Sequence, residues 1–323
     1  MNRYHLTHLT EFAYDAPVSE SYNDVRLRPI HDDRQSCLSF TLSTSPRSTP
    51  VPFRDSLGNW VHQFNVLPEH SHLRIAAEST ILVHEAPEVS PDSMTLAEFN
   101  ATGKVLCEEY FDFVAPTTYV PHLPGLSELV EAASGASGGT VLGFALAACD
   151  LIHERFRYVK GATHVQSSIE DSLSLGAGVC QDFAHLLLGV VRTRGLCGRY
   201  VSGYLVPQPT NGHGAGLEEV IGGQASHAWM EVLVPGLGWM AFDPTLGNPV
   251  GLRHVRVAYG RDYGDVPPVR GIYKGNAGQR LSVDVRVRPG LNVDGCEQWQ
   301  ETGARLSEQQ VTDRPQQAAR QQQ

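Results

Sequence analysis

The sequence is short of positive charge: 25 basic side chains face 35 acidic ones, for a net charge of −10. A general nucleic-acid binder needs a basic face for phosphates, so that class is excluded. No run of about 18 apolar residues occurs, and no membrane-spanning helix is expected. The opening MNRYHLTHLTEF alternates and carries charge. It lacks the apolar core of a secretory signal, which makes the cytoplasm the expected location. No CxxC pair exists among the six cysteines, Cys37, Cys107, Cys149, Cys180, Cys197 and Cys296. Their scatter suits neither a disulfide framework nor a zinc ribbon. Most are expected to be small buried hydrophobes, free to react where the compartment is reducing. There is no internal repeat and no calcium loop of the DxDxDG type. Gly176-Ala177-Gly178 is not a phosphate loop, because no Lys-Ser/Thr follows it.

What is present is globular. Hydrophobic residues make up 41% of 323, and 31 glycines accompany them. That length predicts about two domains with enough core to fold unaided. Residues 1–90 read as an N-terminal β domain. Arg3–Tyr14, Tyr22–Leu27 and Cys37–Leu42 alternate, the last placing Leu38, Phe40 and Leu42 on one face. Trp60–Val66 and Leu73–Val83 follow. Short strands broken by Pro, Gly, Asn and Asp predict an antiparallel β-sandwich. His31-Asp32-Asp33 reads as a solvated turn after Pro29. Residues 86–100 hold two prolines and read as a linker.

The pattern then becomes helical. Leu126–Ala133 is a short helix, and Ser134–Gly139 breaks it. Thr140 caps a long helix reaching about Tyr158. Ser167 and Glu170 have the spacing of a capping box. After Gly176 and Gly178, residues Cys180, Phe183, Ala184, Leu187, Val190 and Val191 recur at helical spacing, and Gly195 is the natural stop. Strands return at Arg199–Val206, Ala228–Val234, Gly238–Phe242, Arg253–Ala258 and Ser282–Val287. The Gln-rich segment 297–323 reads as a disordered tail.

Cys180 is the cysteine placed at a helix start behind a glycine turn. A thiol attacks efficiently only as thiolate, and a helix N-terminus with a neighbouring imidazole favours that form. Such a thiolate needs an acid/base partner, and the imidazole needs an orienting group. Ser226-His227-Ala228-Trp229 enters one strand of a hairpin, and Phe242-Asp243-Pro244 leaves the other. His227 and Asp243 therefore share one end of the ribbon. A four-residue turn at 235–238 would pair Asp243 with Met230, on the face opposite His227. Bringing His227 and Asp243 together requires an odd-length turn or a β-bulge.

GVCQDFAHLL, followed by SHAWMEVLVPGLGWMAFDPT, resembles the transglutaminase-like superfamily. The N-terminal β region and RVAYGRDYGDVPPVRGIYKG resemble its bacterial branch, so the likeness spans about residues 1–290. It implies an α+β fold in which a papain-like core over 100–290 packs its cysteine helix against an antiparallel sheet. It also implies a Cys-His-Asp triad at Cys180, His227 and Asp243. In the implied acyl transfer, Cys180 attacks an amide carbonyl, His227 protonates the departing amine, and Asp243 holds the His227 ring. The Cys180 backbone N–H is expected to be one oxyanion donor. Papain-like proteases carry a second at a Gln six residues before the nucleophile, but Ser174 stands there. Gln166 and Gln181 are the candidates, although Gln181 equally suits the helix surface.

Trp229 and Trp239 fit a substrate groove or the core. Asp182 fits a structural role in the first helical turn. His185 lies five residues from Cys180, the wrong spacing for two metal ligands on one helix face. The Gly-rich loop 210–224 reads equally as a lid or a passive connection. These features point to a thiol-dependent enzyme acting on peptide or isopeptide amides. A hydrolase, protease or amidase, is favoured over a protein-glutamine transamidase, since neither a calcium loop nor an amine site is legible. A non-catalytic papain-like binding module is the other class. No cofactor and no metal are implied. The expected partner is a peptide or protein substrate, with no nucleic acid and no membrane. Homo-oligomerisation stays open.

Overall fold

A computed structural model describes residues 1–85, 94–207 and 226–290 of the chain. In chain order the elements begin with strands β1 (Asn2–Val25), β2 (Gln35–Ser45), β3 (Val51–Arg54), β4 (Trp60–Val66) and β5 (His70–Val83). Helices α1 (Leu96–Thr102), α2 (Lys104–Glu109), α3 (Ser127–Ala136) and α4 (Val141–Arg155) follow, then β6 (Arg157–Tyr158), α5 (Ile169–Leu175), β7 (Ala177–Gly178) and α6 (Cys180–Thr193). The remaining strands are β8 (Gly198–Leu205), β9 (His227–Val234), β10 (Gly238–Asp243), β11 (Asn248–Pro249), β12 (His254–Gly260), β13 (Val269–Lys274) and β14 (Gln279–Pro289). The chain is α+β, as expected, and divides into two compact units.

One unit is an antiparallel sheet built on β1. The first part of β1 lies between β5 and β14. The later part lies between β4 and β13. Between them the pairing shifts register at 13–18, and Glu20 adopts a positive φ of 48°. Such irregularities bend a strand and let it serve two layers. Leu73 and Ile75 of β5 therefore share a core with Val25 of β1 and with Phe64 and Val66 of β4. The expected sandwich is thus one sheet curled on itself. Leu38 departs from its expected face: the β2–β5 pairing slips between Cys37 and Ser39, and Leu38 is left exposed.

Two boundaries differ from the sequence reading. β13 and β14, placed in the 100–290 core, pair instead with β1 in the N-terminal sheet. Backbone N–H and C=O groups along the edge of β1 that β5 and β4 leave open need partners, and these strands supply them. Part of the segment 86–100, expected as a linker, is helical. Thr95 Oγ1 accepts the Glu98 N–H at 3.1 Å while Glu98 Oε2 accepts the Thr95 N–H at 2.9 Å. This reciprocal cap starts α1 at Leu96. Residues 210–224 and 297–323, read as a possible lid and a tail, lie outside the described residues, as does Cys296.

The second unit packs helices on the antiparallel sheet β11-β10-β9-β8-β12. Alternate residues of β9, Ala228, Met230, Val232 and Val234, join Phe144 and Ala148 of α4 and Leu187 of α6 in one buried core. The opposite face of β9 carries His227, Trp229 and Glu231, also buried. Glu231 is neutralised there by Arg199 Nε at 2.7 Å and Arg256 Nη1 at 3.4 Å. A buried carboxylate requires such partners.

Candidate active site

Cys180 opens α6, and its neighbours explain why the helix starts there. Gly176 closes α5 in the left-handed region, φ 59°. Gly178 sits so close to Asp182 that an added Cβ would lie 2.8 Å from that side chain. Asp182 turns back and accepts the Val179 N–H at 2.7 Å, with a further bond from Thr163 Oγ1. Its expected structural role therefore holds, and it fixes the first turn beneath Cys180. The far end stops at Gly195, φ 84°, where the Leu196 N–H reaches back to Val191 O at 3.0 Å. Arg192 near that end does more than face the helix dipole: it is buried and donates to the carbonyls of Phe113, Ala115, Gly198 and Arg261.

The β9–β10 hairpin resolves the register question. Gly238 pairs with Val234 and Phe242 with Met230, so the turn is three residues, Pro235–Leu237. Positive φ at Gly236 (82°) and Gly238 (79°) makes that odd-length turn possible. Asp243 consequently falls level with Trp229, on the face that His227 shares. His227 Nε2 lies 2.7 Å from Asp243 Oδ2, with both side chains fully buried.

The electrostatics follow from that contact. Burial alone would strip the proton from the His227 ring. The Asp243 carboxylate outweighs it by charge and hydrogen bond, with a further contribution from the Cys180 sulfur, and pushes the pKa up to about 10. Nδ1 of the same ring is buried with no hydrogen-bond partner, and Cys180 is half-buried. Burial would likewise raise Asp243, but His227 and His254 hold it well below the usual carboxylate range.

His254 is the residue that sequence reasoning missed. Its Nε2 lies 3.0 Å from the same Asp243 Oδ2. The Gly251 N–H points at Nδ1 at 3.3 Å, so Nδ1 accepts and Nε2 carries the ring proton. Burial keeps its pKa below the ordinary imidazole value, and Asp243 opposes that shift. The other Asp243 oxygen accepts the N–H groups of Thr245 at 2.9 Å and Leu246 at 3.3 Å. A His at a strand start gives no motif; the available signal was its closeness in sequence to the Asp243-Pro244 turn.

The other candidates separate. Trp229 is fully buried and cannot touch a substrate; its ring packs edge-on to His254, centroids 5.2 Å apart at 79°. Trp239 packs against the edges of Tyr110 and Phe113 and under the Arg199 guanidinium. Gln181 spends its amide on Val165 O at 2.9 Å, tying the 159–168 loop to the start of α6. Gln166 is exposed on that tethered loop. His185 is buried, accepts the Tyr263 N–H at 3.1 Å, and is held neutral by burial with a pKa lowered to about 3. The donor atoms of His227, Asp243 and His254 lie within 4.8 Å of one another, close enough to suggest a cation site. Oδ2 instead accepts from two imidazole Nε2 atoms, so the group is built as a proton network.

Comparison with known proteins places this site in context. The model of the bacterial transglutaminase-like N-terminal region matches residues 4–82, and that of the transglutaminase-like superfamily matches residues 130–244. An uncharacterised protein of Mycobacterium leprae is 31% identical over 287 residues, covering 89% of this chain and 99% of its own. One of Mycobacterium tuberculosis is 31% identical over 315 residues, covering 89% of this chain and 93% of its own. The crystal structure of a protein from Cytophaga hutchinsonii, put forward as a cysteine protease, superimposes with a TM-score of 0.67 at 21% identity, over 93% of this chain and 95% of that one. At that identity the likeness is one of fold.

Proposed function

The chain belongs to the transglutaminase-like superfamily, and from that membership we propose that it is a thiol-dependent acyl-transfer enzyme that hydrolyses peptide or isopeptide amides. The carrying observation is the buried His227–Asp243 contact at 2.7 Å, on a ring whose Nδ1 has no hydrogen-bond partner and on which the Cys180 sulfur bears. In this reading the Cys180 thiolate attacks the amide carbonyl, forming a C–S bond. The carbonyl oxygen becomes an oxyanion and meets the Cys180 N–H at the helix start. Collapse breaks the C–N bond, and the leaving nitrogen takes the proton from His227 Nδ1. Water then attacks the thioester, gives its proton back to His227, and releases the acid and the thiolate. Asp243 keeps the ring oriented through both steps.

The test is a peptide library assayed with wild type and Cys180→Ala, measuring both hydrolysis and incorporation of an added primary amine. Wild type is expected to release free acid, and the variant to lose at least about 10⁴-fold in rate. Amine incorporation that exceeds hydrolysis would replace the hydrolase with a transamidase. Activity that survives Cys180→Ala would remove the nucleophile, and inactivity of wild type on every peptide would favour the binding-module class.

A further inference from the structure

We propose that His254 is a positioning residue for this site: its Nε2–H pins the Asp243 oxygen that faces the His227 ring. The inference rests on the catalytic reading above. His254 reaches Asp243 Oδ2 at 3.0 Å from β12, while His227 reaches the same atom at 2.7 Å from β9. Thr245 and Leu246 N–H groups hold Oδ1. The carboxylate is therefore gripped by four donors from three segments, and it has no freedom to turn about its Cβ–Cγ bond.

The His254 ring is itself fixed. Gly251 N–H sets its tautomer through Nδ1, and the edge contact with Trp229 sets its plane. Titratable and charged groups bear on this network from several elements, and Tyr158 and Tyr200 stand near its Cys180 end. His227 comes from β9, and Cys149 of α4 feels the Asp243 charge. Arg253 bears on His254, and Cys180 bears on the network through His227. Without the His254 donor, Oδ2 keeps one partner. The anion then loses a compensating bond in a buried setting, takes up a proton more readily, and can swing away from His227.

The experiment needs no substrate. The pH dependence of Cys180 alkylation by iodoacetamide is followed by mass spectrometry of the Cys180 peptide. Three variants are compared with wild type: His254→Phe keeps a ring without the N–H, His254→Gln keeps an N–H donor, and His227→Ala removes the partner imidazole. The acid limb of the rate profile is expected to move up by about one pH unit in His254→Phe. Its rate near pH 6, on that limb, should fall about tenfold, the same one-unit shift read as a rate. His254→Gln, which keeps a donor for the buried carboxylate, should return to within about threefold of wild type. A folded His254→Phe with the wild-type profile overturns the proposal, and so does a His254→Gln that falls as far as His254→Phe.

Should His254→Phe not fold, long-range ¹H–¹⁵N spectra of wild type decide. A proton on His254 Nε2 supports the role and a proton on Nδ1 overturns it. The underlying catalytic reading fails separately, if wild type and His227→Ala alkylate with the same profile.

Discussion

Among single side chains, the His227–Asp243 pair governs the response to pH. His227 has a folded pKa of about 10, above the roughly 6.5 of an unfolded chain. Its stabilising contribution is complete below about pH 6.5 and is lost as pH rises through about 10. Asp243 is depressed below the unfolded value of about 3.9, so its contribution is present above that pH and is lost as pH falls. His254 and His185 are buried with lowered pKa values, and their neutral forms also make acid unfavourable. The stability difference between wild type and His227→Gln should therefore be largest between about pH 4 and 6.5 and narrow toward pH 10. Thermal melts of both proteins across that range check it. A difference that stays constant from pH 6 to 10 would mean that the His227 charge contributes nothing. Cys180, His227 and Asp243 were legible because each has a local setting: a helix start, a strand entry and a turn. His254 was not, because its role comes from the fold of the 244–253 segment, which returns β12 to the site and leaves no periodicity.

Between residue and domain stand the turns and caps that aim these groups. Gly178→Ala would press a Cβ against Asp182 at 2.8 Å. Asp182 would be pushed off the Val179 N–H, and the start of α6 would loosen. A loss of about 1–2 kcal/mol is expected, the scale of a lost helix cap. Cys180 alkylation should change alongside the melting temperature. An unchanged melt would show that the turn absorbs the methyl group. The long elements were legible from their periods: Thr140 caps α4 as expected, with Gly143 N–H on its Oγ1 at 3.0 Å. Finer placement was not. The α5 capping box is Ser168 with Asp171, at 2.9 Å, one residue beyond the expected Ser167–Glu170 pair. Ser167 instead caps the His164 N–H at 3.0 Å. Several hydroxyls and carboxylates compete there, and only the tertiary course of the loop selects among them.

Across the whole molecule, the order of the chain departs from the order of its units. β1 needs β13 and β14 along its outer edge, and they lie beyond the helix-bearing unit in sequence. Composition and strand patterning carry no record of such a pairing, which is why the 100–290 boundary was misplaced. A truncation after Val266 should leave β1 open along that edge. Its amides should exchange quickly in hydrogen–deuterium exchange, while those of α6 and β9 stay protected. A peptide spanning 267–290 added in trans should restore protection. Wild-type protection of β1 in the truncated chain would refute the dependence.

That interleaving has a cost during synthesis. Val25 leaves the ribosome long before Val269, its partner across the sheet. At about 5–20 residues per second, the nascent strand stays half-paired for roughly tens of seconds. Over that interval an apolar, hydrogen-bond-hungry edge is open to other nascent chains, so the burden on holding chaperones falls on β1 rather than on α6.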